Sequence, residues 1–118
     1  MTVNELIAKV DALRPSAYTP AQKTAWLSDV DGKISTEIMG EETPVTYTWP
    51  EDGDRELLVP APYDRLYGHY ILAMTDYYNS ETDAQNVSTA LFEEAYVEYA
   101  RQYRRANRPT SREGFQVM

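Results

Sequence analysis

Apolar positions in the first third of the chain recur at helical spacing. Val3, Leu6, Ile7, Val10 and Leu13 share one face behind Thr2 and Glu5, which stand in a capping-box pattern. This predicts a first helix over Thr2–Leu13, stopped by Arg14-Pro15. Thr19-Pro20-Ala21-Gln22 repeats the start signal, with proline at the first helical position. Trp26, Leu27, Val30, Ile34 and Ile38 then form one stripe, so a second helix reaches about Met39 and closes at Gly40.

The period then changes. Val45-Thr46-Tyr47-Thr48-Trp49 alternates with period two and is rich in β-formers, Pro50-Glu51-Asp52-Gly53 is a turn signal, and Arg55–Val59 can return. The pattern predicts a β-hairpin over 45–59, inserted between the second and third helices. A lone hairpin is marginal in water, so it should pack on the helices or on another subunit. Pro60-Ala61-Pro62 opens a third helix running to about Asn79. Tyr63, Leu66, Tyr67, Tyr70, Ile71, Met74, Tyr77 and Tyr78 fall in one arc, and Arg65, His69, Leu72 and Asp76 on the other side.

A break at Asn79–Asp83 precedes a fourth helix to about Asn107. Leu91, Phe92, Ala95, Tyr96, Tyr99, Tyr103 and Ala106 face one way; Glu93, Glu94, Glu98, Arg101, Arg104 and Arg105 face the other, with Glu98 and Arg101 as a helix-supporting pair. Pro109 ends the regular pattern. The predicted fold is mainly α: a small bundle of about four helices with an inserted β-hairpin. Residues 1–107 form one domain, and 108–118 an extended C-terminal tail.

Composition sharpens this. Of 118 residues 42% are hydrophobic, and eight of the ten tyrosines lie between Tyr63 and Tyr103. Tyrosine packs by its ring but keeps a hydroxyl that wants a partner, so the core should be wet at its margins, as interfaces often are. No cysteine is present, which excludes a disulfide framework, a thiolate metal site and a thiol nucleophile. Met1–Glu5 lacks the blocks of a signal peptide, and no apolar run approaches the ~20 residues of a membrane span; a soluble, cytosol-made protein without membrane contact is expected.

The net charge of −8 is uneven. Residues 1–100 carry 18 acidic and 6 basic side chains, whereas 101–118 carry five arginines and one glutamate. An acidic body with a basic end suggests docking on neighbours, although Arg101, Arg104 and Arg105 also suit a helix C-terminus. The acidic body argues against a dedicated DNA-binding domain, and is compatible with lining a path that DNA slides through.

Candidate chemistry is sparse. Asp29-Val30-Asp31-Gly32-Lys33-Ile34-Ser35 resembles the middle of a calcium loop, but the first and last ligand positions would be Leu27 and Ile38, which belong to the apolar stripe. His69 is the one histidine and cannot build a usual zinc site without cysteine. Glu41-Glu42 and Glu93-Glu94 are sequence neighbours that do not face each other on a helix, and all five glycines are isolated, so no phosphate loop exists. Neither an enzyme nor a cofactor is expected.

Glu56-Leu-Leu-Val-Pro-Ala-Pro-Tyr-Asp-Arg-Leu-Tyr67, then Ala73-Met-Thr-Asp-Tyr-Tyr-Asn79, then Phe92–Arg105, resemble the head–tail connector (adaptor, or head-completion) proteins of tailed phages and prophages. The resemblance covers about half of the chain and carries no catalytic signature. It implies a helical structural subunit of the virion, made in the bacterial cytoplasm and placed at the head–tail junction. Such a subunit forms a homo-oligomeric ring between the portal protein and tail-side connector proteins, with packaged DNA passing through without sequence-specific binding. The candidate subunit or partner contacts are Tyr47 and Trp49 on the hairpin, and Arg108, Arg112, Phe115, Val117 and Met118 in the tail. The alternative is a small acidic phage protein that binds and regulates a host protein.

Overall fold

The structure, a computed structural model, describes residues 1–107. Four helices make up its regular structure: α1 (Val3–Leu13), α2 (Pro20–Lys33), α3 (Arg65–Tyr78) and α4 (Thr82–Ala106). Both predicted capping boxes form. Thr2 accepts from the Glu5 amide while Glu5 accepts from the Thr2 amide, and Thr19 and Gln22 do the same for α2. Each cap supplies acceptors for donors that have no partner inside the helix.

The second apolar stripe extends beyond α2 through a π-helical turn, Ile34–Ile38. The hydroxyls of Ser35 and Thr36 both donate to the Gly32 carbonyl (2.9 and 3.0 Å), and the Met39 amide reaches back five residues to Ile34. Hydroxyls competing for helix carbonyls account for the widened turn. Gly40, at φ 76°, then reverses the chain in a conformation that costs glycine little.

The core joins α1 (Val3, Leu6, Ile7, Val10), α2 and its extension (Trp26, Leu27, Val30, Ile34, Ile38), α3 (Leu66, Tyr67, Ile71) and α4 (Phe92, Ala95, Tyr99). Helix α3 lies along α4 and also touches α1 and α2. It is therefore buried on more than one side, which corrects its predicted polar face. Asp76 is fully buried against Arg14, the residue just after α1, and Ser88 of α4, while Tyr77 and Tyr78 are more than half exposed. Two other inward expectations differ. Leu13, the last residue of α1, lies beyond the core, and Leu91 of α4 is exposed because α4 is covered on one side only. Glu98 pairs with Arg65 of α3 (2.6 Å) in place of Arg101.

The inserted β-hairpin is not formed, and no strand occurs among the described residues. The segment between α2 and α3 is a long loop fastened at three places. Near its start, the amides of Val45 and Tyr47 donate to the hydroxyls of Ser35 and Ser28 (3.0 Å each). Its middle pairs with the start of α1: Val3 donates to the Arg55 carbonyl (3.0 Å), Asn4 to Gly53 (2.9 Å), and Leu57 to Met1 (3.0 Å), giving one isolated antiparallel bridge, Thr2–Glu56. The two β-prone runs thus bond to helices and to the N-terminus instead of to each other. Leu57 and Val59 enter the core.

Between α1 and α2, the nearly buried ammonium of Lys23 pairs with Asp11. Thr24 beside it is 1% exposed, and its hydroxyl has no partner among the described residues. Thr24→Val keeps the shape and removes a desolvated hydroxyl, so it should stabilise the fold by about 1 kcal/mol in urea unfolding. A loss of stability would mean that the hydroxyl is satisfied.

Candidate functional site: a buried carboxylate clamp and an aromatic groove

Two features stand out, one inside the molecule and one on its surface. The inner feature begins with α2. Ser28, Asp31 and Ser35 fall at spacings of three and four and so share one helix face, beside the apolar stripe. That face receives the loop. Asp31 is fully buried. Its carboxylate accepts from the Tyr47 hydroxyl, from the Tyr67 hydroxyl (2.6 Å) and from the Leu58 amide (3.0 Å). The Tyr67 hydroxyl in turn accepts from the Val59 amide (2.8 Å). One carboxylate thus ties α2, both ends of the loop and α3 together. Gly32 lets the loop approach: a Cβ there would lie 3.2 Å from the Val45 carbonyl oxygen.

Burial holds the Asp31 carboxyl above the ordinary aspartate range, against the lowering effect of the two tyrosines and the Leu58 amide. Burial and the neighbouring carboxylate push the Tyr47 and Tyr67 hydroxyls upward, so both remain protonated donors. A raised carboxyl pKa means that the folded state binds this proton more tightly than the unfolded chain. The Asp31 contribution to stability should therefore grow as pH falls through its raised value, and level off below the ordinary value of about 3.9. Urea unfolding of the wild type and of Asp31→Asn between neutral pH and pH 4 should show the difference shifting in favour of the wild type on acidification. A pH-independent difference would contradict the assignment.

The surface feature is a groove of about 540 Å³ between α3 and α4. Aromatic rings build it: Tyr70 packs on Phe92 (centroids 5.1 Å apart), and Phe92 on Tyr96 (5.7 Å). Ala73, Met74, Tyr77 and Val97 complete the apolar lining. The Lys33 ammonium lies 5.2 Å from the centre of the Tyr96 ring, whose hydroxyl donates to Glu37 (2.9 Å). Burial and then Glu37 raise the Tyr96 pKa. Such walls can hold an apolar or aromatic side chain, with charged groups at the rim to orient it. A second aromatic cluster adjoins it at the C-terminal end of α3, where Tyr78 meets Tyr77 of the groove edge-on (5.1 Å), Trp26 stacks on Tyr78 (5.9 Å) and Tyr18 donates to Asn79 (2.7 Å).

The structure separates the expected contact residues. Tyr47, a candidate subunit or partner contact, is 6% exposed and points inward to Asp31, with Arg55 over its ring. Trp49, 39% exposed, stays at the surface. Arg108, Arg112, Phe115, Val117 and Met118 lie outside the described residues. His69 is half-buried on α3, where burial and then Arg65 lower its pKa against the opposing effect of Glu94. Asp31 has both oxygens engaged by protein donors and lies inside the molecule, while Asp29 is exposed, so the calcium-like stretch does not converge on an ion. Among the described residues no group of histidine and carboxylate side chains is placed to hold a metal, and no helix is long and apolar enough to cross a membrane.

Sequence periodicity marked the rings of the groove but treated them as core. The signal for the clamp was the Ser28–Asp31–Ser35 spacing, which the calcium-like pattern obscured. Comparison of the chain with protein-family models, with curated proteins and with solved structures found no match.

Proposed function

We propose that this protein is a structural component of a tailed phage or prophage virion: a ring-forming connector between portal and tail, acting by assembly and not by catalysis. The observation that carries the reading is the α3–α4 pair, which leaves an aromatic groove and an apolar strip of α4 uncovered on an acidic body. The three segments that resemble connector proteins, Glu56–Tyr67, Ala73–Asn79 and Phe92–Arg105, are the ones that build this pair and its approach. Uncovered rings beside charged rims fit a subunit whose remaining contacts come from neighbours. In this reading DNA passes an acidic wall that does not retain it, and the protein reaches the head–tail junction after synthesis in the host cytoplasm.

The test is genetic and morphological. Deleting residues 108–118 in the encoding phage should leave a folded protein, with unchanged helical circular dichroism, but reduce assembled particles by an order of magnitude or more. Deleting the whole gene should leave DNA-filled heads without tails. Normal particles after loss of the gene would overturn the reading, and capture of one dominant host protein instead would favour a regulator.

A further inference from the structure

We propose that the α3–α4 groove receives residues 108–118 of a second copy of this chain. The groove and its surroundings are unusually apolar for a surface: Tyr77 is 57% exposed, Val97 51%, and Leu91 42%. Glu93 lines its α4 wall, and Glu94 and Glu98 line a shallow depression next to it that shares Glu93 and Val97 with the groove. Glu98 is paired with Arg65, but Glu93 and Glu94 make no ion pair among the described residues, and Lys33 is engaged over Tyr96. An occupant that suits this surface combines positive charge with large apolar side chains.

The segment after α4 has that composition. Arg108 and Arg112 come first, followed by Phe115, Val117 and Met118, with Glu113 as its one acidic residue. In an extended chain Phe115 and Val117 fall on the same side, spaced to enter one apolar groove. The arginines would then meet the free carboxylates of the rim. The segment is long enough to leave its own subunit: eleven extended residues reach at most about 36–40 Å, longer than the roughly 22 Å of α4 between Phe92 and Asn107 at 1.5 Å per residue.

A second copy is favoured over the same copy by direction. The groove lies along Gln85–Val97 and α4 runs on past it to Ala106, so the helix axis at that end points away from the groove, and Arg108 precedes a proline, a pairing that disfavours a helical reversal. Donor and groove then occupy different places on each subunit. Such a heterologous contact propagates from copy to copy and makes a ring wherever the rotation closes. This deepens the connector reading and rests on it only for the expectation that the chain self-associates.

The full-length chain provides the test, by sedimentation of two complementary variants. Val97→Glu places a charge on the exposed groove wall, spoiling the acceptor while keeping the donor. Phe115→Ser spoils the donor while keeping the groove. Each variant alone should self-associate at least about tenfold more weakly than the wild type. Mixed together, they should form a one-to-one heterodimer, because one good donor meets one good groove. Unchanged circular dichroism checks the fold, and Glu93→Lys is a second acceptor variant of unrelated packing risk. Monomers in the mixture would overturn the proposal in favour of docking within one copy. A wild type that stays monomeric, or variants that associate like the wild type, would also overturn it. These outcomes are distinct from failure of the connector reading, which is judged by particle morphology after loss of the gene.

Discussion

Asp31→Ala should destabilise the fold by about 3–5 kcal/mol at neutral pH, a cost set by buried donors left without an acceptor. Tyr47, Tyr67 and Leu58 all donate to this one carboxylate, and none has a second acceptor shown. Each stranded donor costs about 1–3 kcal/mol, partly offset because the buried charge is removed with its own desolvation penalty. Two controls grade the effect. Tyr67→Phe removes one donor and also strands the Val59 amide, so about 2–3 kcal/mol is expected. Tyr47→Phe leaves the carboxylate with two donors and should cost about 1–2 kcal/mol. Urea unfolding tests the order Asp31→Ala, then Tyr67→Phe, then Tyr47→Phe. An Asp31→Ala loss below about 1 kcal/mol would mean that Leu57, Val59 and the loop's other hydrogen bonds hold it without the clamp.

The loop gives this prediction a second readout. Trp49 lies two residues from Tyr47 and is partly exposed. Releasing the clamp should loosen 44–59 from α2, and shift tryptophan emission toward that of a solvated indole before global unfolding. Concurrent loss of both signals would make the loop part of the cooperative core.

What the sequence could and could not convey follows from range. Helices α1, α2 and α4 were legible because caps and 3.6-residue stripes are local: Thr2/Glu5 and Thr19/Gln22 bond where their spacing says they should. The segment 45–59 was not, although its alternation is genuine. Alternation records backbone readiness to extend, not which partner supplies the hydrogen bonds. Here the partners are Ser28 and Ser35, ten or more residues upstream, and the first residues of the chain. The same limit explains Asp76. One helix wheel assigns one buried arc, whereas α3 is packed by α1, α2 and α4 together. The groove is the intermediate case. Periodicity found Tyr70, Phe92 and Tyr96, but only assembled geometry distinguishes rings that are sealed from rings that stand open. Tyr67, fully buried, and Tyr77, mostly exposed, belong to the same predicted arc.

Arg14→Met should destabilise by about 2–4 kcal/mol, because it leaves a fully buried carboxylate without its cation. Both nitrogens of the Arg14 fork face Asp76, and Ser88 donates to the same carboxylate at 3.3 Å. Arg14 also stands 3.7 Å from Glu81, so one guanidinium joins the end of α1 to the end of α3 and the start of α4. It is itself partly exposed, which lets water reach the wounded site and keeps the cost below that of a fully sealed pair. Arg65→Met provides the contrast. Its partner Glu98 is exposed and the pair spans solvent, so about 0–1 kcal/mol is expected. Salt should separate them further, since added electrolyte screens the exposed pair and scarcely touches Asp76. The double variant Arg14→Met with Asp76→Leu should recover part of the loss, as buried pairs often can be replaced by apolar groups when both charges leave together. If Arg14→Met costs no more than Arg65→Met, the Arg14–Asp76 pair does not fasten α1 to α3. Helix α3 is then held by its apolar contacts and by Tyr67 on the Asp31 clamp, about 13 Å away along the helix at 1.5 Å per residue.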